Sequence, residues 1–231
     1  MIQIFKQFRS RLMLVLPAAA LSLHAHAATF MLESTTVILD EQERRVAFNV
    51  KNDGNEPILL LSKLEDLDKD DKMSRRILIA PPIARIDPGQ SQQVNFALKK
   101  GAALDREYLL KASFEGVAQR GRGSMTMPVR QEVGFIVQPS AIPKVRTPWQ
   151  KLQLTSSGQK LVVANPGPHV VRLSPELHLL PGDKRVALKR PYMMPGETQT
   201  FDIEGAVEQV GLTPLSRYGL VQQQATLPVS R

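Results

Sequence analysis

The sequence predicts an all-β chain that forms two β-sandwich domains behind an N-terminal export signal. Apolar and polar residues alternate over many short runs, turn-forming dipeptides separate these runs, and a proline-rich stretch divides them into two sets. The 231 residues include 17 prolines and 14 glycines, mostly between the apolar runs. Because these residues interrupt regular structure, little room remains for long helices.

The first 27 residues have the composition of a secretory signal peptide. A basic segment precedes an apolar run at 12–23, and Ala25-His26-Ala27 provides a small-x-small cleavage site. The run is shorter than the roughly 20 apolar residues that a membrane-spanning helix needs. We therefore expect cleavage before Ala28, a periplasmic location and no membrane span in the mature chain; an uncleaved anchor is the alternative.

Seven strands are expected in the first set. The clearest of them places Val46, Phe48 and Val50 on one face, which is the period-two alternation of a half-buried strand. The expected strands lie near residues 29–39, 44–52, 57–66, 75–80, 91–98, 107–116 and 124–137.

The segment 138–149 carries three prolines and predicts a stiff connector between two domains. A second set of strands follows near 150–155, 161–164, 170–173, 185–188, 198–203 and 218–227, whereas 204–217 shows no clear pattern. We therefore divide the chain into a signal peptide (1–27), an N-terminal domain (28–142) and a C-terminal domain (143–231). Both domains have the size of immunoglobulin-like sandwiches.

The composition argues against several functional classes. The absence of cysteine excludes disulfides, thiolate metal sites and a cysteine nucleophile, and four histidines are too few for a His-rich metal site. Removing the three cations of the signal peptide lowers the net charge from +8 to +5, and aromatic residues make up only 5% of the chain. No nucleotide-binding or hydrolase motif is present. We expect no enzymatic activity, no cofactor or metal, and no nucleic-acid partner.

Several motifs occur in a recognisable order along the mature chain. They are VKND around Asn52, PPIARIDPGQ at 81–90, DRE at 105–107, NPGPHVV from Asn165 and MPGETQ from Met194. This ordered set resembles that of the PapD-like periplasmic pilus-assembly chaperones. The resemblance implies two immunoglobulin-like domains in a boomerang arrangement, which capture incomplete pilin subunits and deliver them to an outer-membrane usher.

The resemblance also implies a pilin-binding donor strand near 124–137, at the end of the first domain. Such a strand fills the gap in the pilin fold by strand addition. Met125, Met127 and Val129 lie at spacing two and would share one face of this strand. Packing of that face inside its own domain is the alternative.

Two further groups of residues follow from the resemblance. Typical members hold the C-terminal carboxylate of the pilin with an Arg and a Lys, but the corresponding positions here are Thr36 and Gly134. Arg130 and Lys111 are the candidate replacements, with solvated surface charges as the alternative. We also hypothesise that Glu107 of the DRE motif pairs with Arg217 across the two domains.

Other exported β-sandwich proteins are the competing interpretation. A fimbrial subunit or adhesin should be a shorter, single incomplete sandwich that begins with a flexible donor segment. A carbohydrate-binding module favours exposed aromatic residues, whereas this chain has one Trp and three Tyr. A secreted hydrolase would need a catalytic constellation, and the sequence offers none.

Overall fold

The structure is a computed structural model that describes residues 29–68, 72–119, 127–182 and 184–231. The expected signal peptide and the predicted donor residue Met125 lie outside this part of the chain. The described residues form seventeen strands and two short 3-10 helices, arranged as two β-sandwiches.

The first sandwich consists of two sheets that face each other across an apolar core. One sheet has the order β1 (Phe30–Leu32), β3 (Arg45–Asn52), β7 (Ser91–Leu98) and β5 (Ile77–Ala80), with the 3-10 helix Met73–Arg76 before β5. The other has the order β2 (Thr36–Asp40), β9 (Val129–Gln138), β8 (Tyr108–Ala118), β4 (Ile58–Asp66) and β6 (Ile83–Ile86). Within these sheets only β2 and β9 run parallel to each other.

The strands differ from the sequence prediction in three places. The expected strand 29–39 is two strands, because the chain leaves the first sheet after Leu32 and joins the second at Thr36. β6 was not predicted, and β9 begins at Val129 rather than at residue 124. Pro128 directly precedes β9, where its missing N–H removes no bond from the ladder.

Alternating inward residues of both sheets build the first core. The Phe48 and Phe114 rings stack across it at 5.1 Å between centroids, and the Phe96 and Phe135 rings meet edge to face at 5.0 Å. Such pairs add about 0.5–1.5 kcal/mol each to the free energy of area burial.

The second sandwich begins after the 3-10 helix Pro148–Lys151. One sheet has the order β10 (Gln153–Ser157), β11 (Lys160–Ala164) and β15 (Thr198–Asp202). The other has the order β13 (Lys184–Ala187), β12 (Val171–Leu180), β16 (Gln209–Pro214) and β17 (Ala225–Pro228), with β14 (Tyr192–Met193) also paired to β12.

The second sandwich departs further from the sequence prediction than the first. β12 continues to Leu180 although Pro175 lies within it, because the pairing with β16 shifts register between Leu173 and Leu177 and so accommodates the proline. β16 was missed because most of its residues are buried, which removes the alternation that marks a half-exposed strand. The short β14 was also not predicted, and β17 starts at Ala225 rather than near residue 218.

Two buried asparagines play the same part in the two sandwiches. Asn52 donates from Nδ2 to the carbonyls of Glu56 (2.8 Å) and Ile86 (3.0 Å). Asn165 donates from Nδ2 to the carbonyls of His169 (2.8 Å) and Met194 (3.0 Å). Each buried side chain satisfies turn carbonyls, so each fixes the exit of one strand.

Candidate functional site

The edge of β9 is only partly covered. β8 pairs with β9 from Val129 to Val137, whereas β2 covers the opposite side only from Gly134 to Gln138. Among the residues that the structure describes, no strand pairs with Val129–Val133 on that side. We call this stretch the open edge of β9. Its outward N–H and C=O groups form a template for an additional strand.

Two of the three predicted donor residues, Met127 and Val129, lie at the start of this edge. The side chain of Met127 is 69% exposed, whereas Val129 is half-buried and packs against the first core. Gln131 Nε2 donates to the Phe30 carbonyl at 2.7 Å, which ties β9 to β1. The structure therefore presents Met127 to solvent but directs Val129 partly into its own domain.

The two cations proposed as carboxylate anchors are both paired with glutamates. Arg130 donates from Nε to Glu115 Oε2 at 2.8 Å, and its Nη2 contacts the same oxygen. Lys111 Nζ lies 3.0 Å from Glu65 Oε2 and 3.2 Å from Glu132 Oε1. Hydrogen bonds to these carboxylates raise the pKa of both cations, so both are held charged in local pairs.

Glu107 and Arg217 meet at the interface between the two sandwiches. Arg217 Nη2 donates to Glu107 Oε1 at 3.0 Å, and the Val170 N–H donates to Glu107 Oε2 at 3.0 Å. The Glu107 N–H donates in turn to the Pro168 carbonyl at 2.8 Å. Burial raises the pKa of the Glu107 carboxyl, although the Arg217 charge and the Val170 N–H act in the opposite direction.

An apolar cluster surrounds this polar contact. Leu109 and Ile136 of the first sandwich are buried against Val170 and Met194 of the second. The Glu107 carboxylate is thus largely shielded from water, with only 5% of its side chain exposed. Its interaction with Arg217 is correspondingly stronger than that of a surface ion pair.

Sequence reasoning missed a cation that lies beside both expected anchor positions. Arg172, in β12 of the second sandwich, donates from Nη1 to Thr36 Oγ1 at 2.9 Å and to the Arg217 carbonyl at 2.8 Å. Thr36 is the register partner of Gly134, so Arg172 reaches the two positions that lack cations. No pattern in the sequence singled it out, because the contact depends on how the two sandwiches meet.

A groove of about 250 Å³ runs between the two sandwiches at this point. Apolar residues line most of it, including Leu109, Val133 and Tyr192, and Lys111 and Arg172 are its two cations. Arg130 does not line the groove. The structure thus brings together Lys111 and Arg172 at the groove, whereas Arg130 pairs with Glu115 farther along the same face of the sheet.

No group of three or more His, Asp or Glu side chains in the described part of the chain could hold a metal ion. No helix in the same residues is long and apolar enough to cross a membrane.

Comparison with known proteins gives two family matches that together span most of the chain. Residues 29–143 match the pili and flagellar-assembly chaperone family, PapD N-terminal domain. Residues 147–226 match the pili-assembly chaperone PapD, C-terminal domain. The boundary between the two matches coincides with the proline-rich connector.

Individual relatives agree with these matches. The uncharacterized fimbrial chaperone YhcA of Escherichia coli K12 is 32% identical over 196 residues, which cover 83% of this chain and 87% of the relative. The chaperone protein MrkB of Klebsiella pneumoniae is 25% identical over 213 residues, which cover 86% and 91%.

Solved structures show the same fold. The complex of the Salmonella enterica SafA pilin with the SafB chaperone matches with a TM-score of 0.71 at 22% identity, over 88% of this chain and 97% of the matched chain. The E. coli chaperone DraB matches with a TM-score of 0.71 at 23% identity, over 88% and 100%. From the two family matches and the YhcA relationship, the chain belongs to the PapD-like family of pilus-assembly chaperones.

Proposed function

We propose that the chain is a periplasmic chaperone that holds pilin subunits by lending them β9 as a strand and delivers them to an outer-membrane usher. The observation that carries this proposal is the open edge of β9, five residues long, beside the exposed side chain of Met127. An extended segment of a pilin laid along this edge would extend the sheet β2-β9-β8-β4-β6.

Two contributions favour such a complex. Backbone bonds along the open edge contribute about 0.5–1.5 kcal/mol each. Met127 then supplies an unbranched, adaptable apolar side chain that suits pockets of differing shape. Both contributions require binding alone, so the proposed activity involves no covalent chemistry and no cofactor.

Family membership favours the chaperone over the competing interpretations. A carbohydrate-binding surface would need an exposed aromatic platform, but the single tryptophan, Trp149, is half-buried against the second core. A fimbrial subunit or adhesin is not favoured, because both sandwiches match the two domains of the chaperone family.

Co-expression with the pilin subunits of the same organism tests the proposal. The wild-type chain should co-purify from periplasm with a pilin, and Met127→Glu should abolish capture because it places a charge in an apolar pilin pocket. Met31→Glu is the matched control, since Met31 is also an exposed methionine, 56% accessible, but lies on β1 of the other sheet. Capture by Met127→Glu at the wild-type level, with both variants folded, would refute the donor-strand assignment.

A further inference from the structure

Six cations gather at one end of the first sandwich. They lie on three neighbouring pieces of chain, which are the turn that leads into β3, the 3-10 helix before β5 and the segment that follows β7. We call this set the basic pole, and its members are Arg44, Arg45, Arg75, Arg76, Lys99 and Lys100.

Hydrogen bonds hold the three pieces of the basic pole together. Arg44 Nη2 donates to the Leu98 carbonyl at 2.7 Å, and the Leu98 N–H donates to the Arg44 carbonyl at 2.8 Å. Lys99 donates twice to the 3-10 helix, from its N–H to the Arg76 carbonyl and from Nζ to the Arg75 carbonyl, both at 2.8 Å. The backbone thus fixes these cations as close neighbours on one surface.

None of the six cations pairs with a carboxylate in the part of the chain that the structure describes. Their side-chain bonds end on neutral carbonyls, and Arg76 Nη2, for example, donates to the Ala102 carbonyl at 2.9 Å. Cations elsewhere in the same residues do form ion pairs, as Lys160 does with Asp202. The pole therefore differs from the rest of the charged surface.

Two carboxylates lie on the turn that carries Arg44, but they do not neutralise the pole. Glu41 is engaged elsewhere, because its Oε1 accepts the Leu104 N–H at 3.1 Å and its Oε2 accepts the Ser140 N–H at 2.8 Å. Glu43 is exposed and supplies one negative charge against six positive charges. The basic pole therefore carries an excess of positive charge.

The spread of the pole matches a surface of many anions better than a single small anion. β7 lies between β3 and β5, and neighbouring strands are about 4.8 Å apart, so the two outer strands are about 10 Å apart. One phosphate group can reach only part of that width. Phospholipid headgroups in the plane of a membrane can reach all of it.

The apolar residues of this surface are too few for the core of a protein interface. The exposed residues after Lys100 are Gly101, Ala102 and Ala103, and none has a large apolar side chain. Leu78 of β5, 54% exposed, borders the pole through its pairing with β7. A single leucine beside a group of cations suits shallow contact with lipid headgroups.

We propose that the basic pole binds the anionic surface of a phospholipid membrane. Each Lys or Arg near such a surface adds favourable electrostatic free energy, which salt screens. The inference does not depend on the proposed function, because no residue of the pole belongs to the open edge of β9.

The pole and the open edge lie toward opposite ends of β9. The Arg44 N–H donates to the Asp40 carbonyl at 2.9 Å, and Asp40 is in register with Gln138, the last residue of β9. The open edge ends at Val133, and the five-residue step from there to Gln138 spans about 17 Å. The chain should therefore present its open edge to a partner while it lies on a membrane.

Vesicle sedimentation tests the proposal. The wild-type chain, purified from periplasm, is mixed with vesicles of phosphatidylcholine alone or of phosphatidylcholine and phosphatidylglycerol in equal parts. We expect binding only to the vesicles that contain phosphatidylglycerol. Binding should weaken at least about 10-fold when NaCl is raised from about 0.1 M to about 1 M, because the Debye length falls from about 10 Å to about 3 Å.

A triple variant assigns the binding to the pole. Arg45→Gln/Arg75→Gln/Lys100→Gln removes three exposed charges whose side chains make no hydrogen bond within the described residues, so the fold should persist. Each charge is expected to contribute about 5-fold to vesicle binding, so the variant should bind about 100-fold more weakly than the wild-type chain.

A second triple variant is the matched control. Lys160→Gln/Lys184→Gln/Arg185→Gln removes the same number of charges from exposed ion pairs of the second sandwich. It should bind the anionic vesicles nearly as well as the wild-type chain, although its net charge equals that of the pole variant. Circular dichroism establishes that both variants are folded.

Three results would overturn the proposal. The first is a wild-type chain that does not bind the anionic vesicles, as expected if the pole serves an acidic protein, or that binds both kinds of vesicle equally. The second is equal weakening in the two triple variants. The third is displacement by inorganic phosphate far beyond that by NaCl of the same ionic strength, which would indicate a site for a single phosphate instead.

Discussion

Replacing Arg217 with methionine should destabilise the second sandwich by about 2–4 kcal/mol at neutral pH. The substitution removes a 3.0 Å charge-assisted bond to Glu107, whose side chain is only 5% exposed in the wild-type chain, and leaves the Val170 N–H as the remaining donor to that carboxylate. Breaking a buried pair on one side costs about 3–5 kcal/mol. The expected loss is somewhat smaller, because Glu107, whose pKa burial already raises, can take up a proton instead.

Urea unfolding followed by tryptophan fluorescence measures this loss. Trp149 is the only tryptophan and packs against the second core, so its signal reports the sandwich to which Arg217 belongs. The double variant Glu107→Gln/Arg217→Met should recover at least half of the lost free energy, because a neutral amide still accepts the Val170 N–H without a buried charge.

An exposed ion pair provides the control. Arg185 and Glu176 lie in the same sandwich, and both side chains are more than half exposed. Arg185→Met should therefore change the free energy of unfolding by no more than about 0.5 kcal/mol. If Arg217→Met were equally mild, or if the double variant were less stable than Arg217→Met, the assignment of Glu107 and Arg217 as a stabilising interdomain pair would be refuted.

Two further substitutions test the first sandwich and the connector. Asn52→Ala should lower the free energy of unfolding by about 2–4 kcal/mol, because it removes the buried amide that donates to the carbonyls of Glu56 and Ile86, and chemical denaturation measures this loss. Lys144→Met should cost about 0.5 kcal/mol at pH 7, since the 2.8 Å contact with Lys144 holds the pKa of Asp40 below its ordinary value of 3.8. Because the folded-state pKa of Asp40 is lowered, its contact with Lys144 contributes stability above the unfolded-state pKa, and this contribution is lost as the pH falls through the folded-state pKa. The difference in free energy of unfolding between the wild-type chain and Lys144→Met should therefore vanish as the pH falls below about 3.8. A difference that persists at such pH values would contradict this explanation.

The first sandwich was the more predictable half of the fold. β3 and β7 face water on one side and the core on the other, so strict alternation marks them in the sequence. β16 is nearly continuously buried and β12 contains Pro175, so neither follows the simple pattern. The division of 29–39 into β1 and β2 was not predictable, because it depends on which sheet each half joins.

The residues of the candidate site that lie along one strand were predictable from the sequence, whereas the contacts between the two sandwiches were not. Met127 is exposed beside the open edge, as the family resemblance implies, whereas Val129 packs partly inward, which is the alternative that the alternation of the apolar residues left open. Glu107 and Arg217 were matched only through the family resemblance. Arg172 was missed, since its position opposite Thr36 depends on how one sandwich rests on the other.

Hydrogen exchange on a complex with a pilin tests the central claim most directly. If β9 lends its open edge, backbone amides within Val129–Val133 that exchange in the free chain should become protected in the complex. The outer edge of β5 (Ile77–Ala80), which β7 covers on one side only, should exchange at the same rate in both states. Protection at β5 without any change in Val129–Val133 would contradict strand addition on β9.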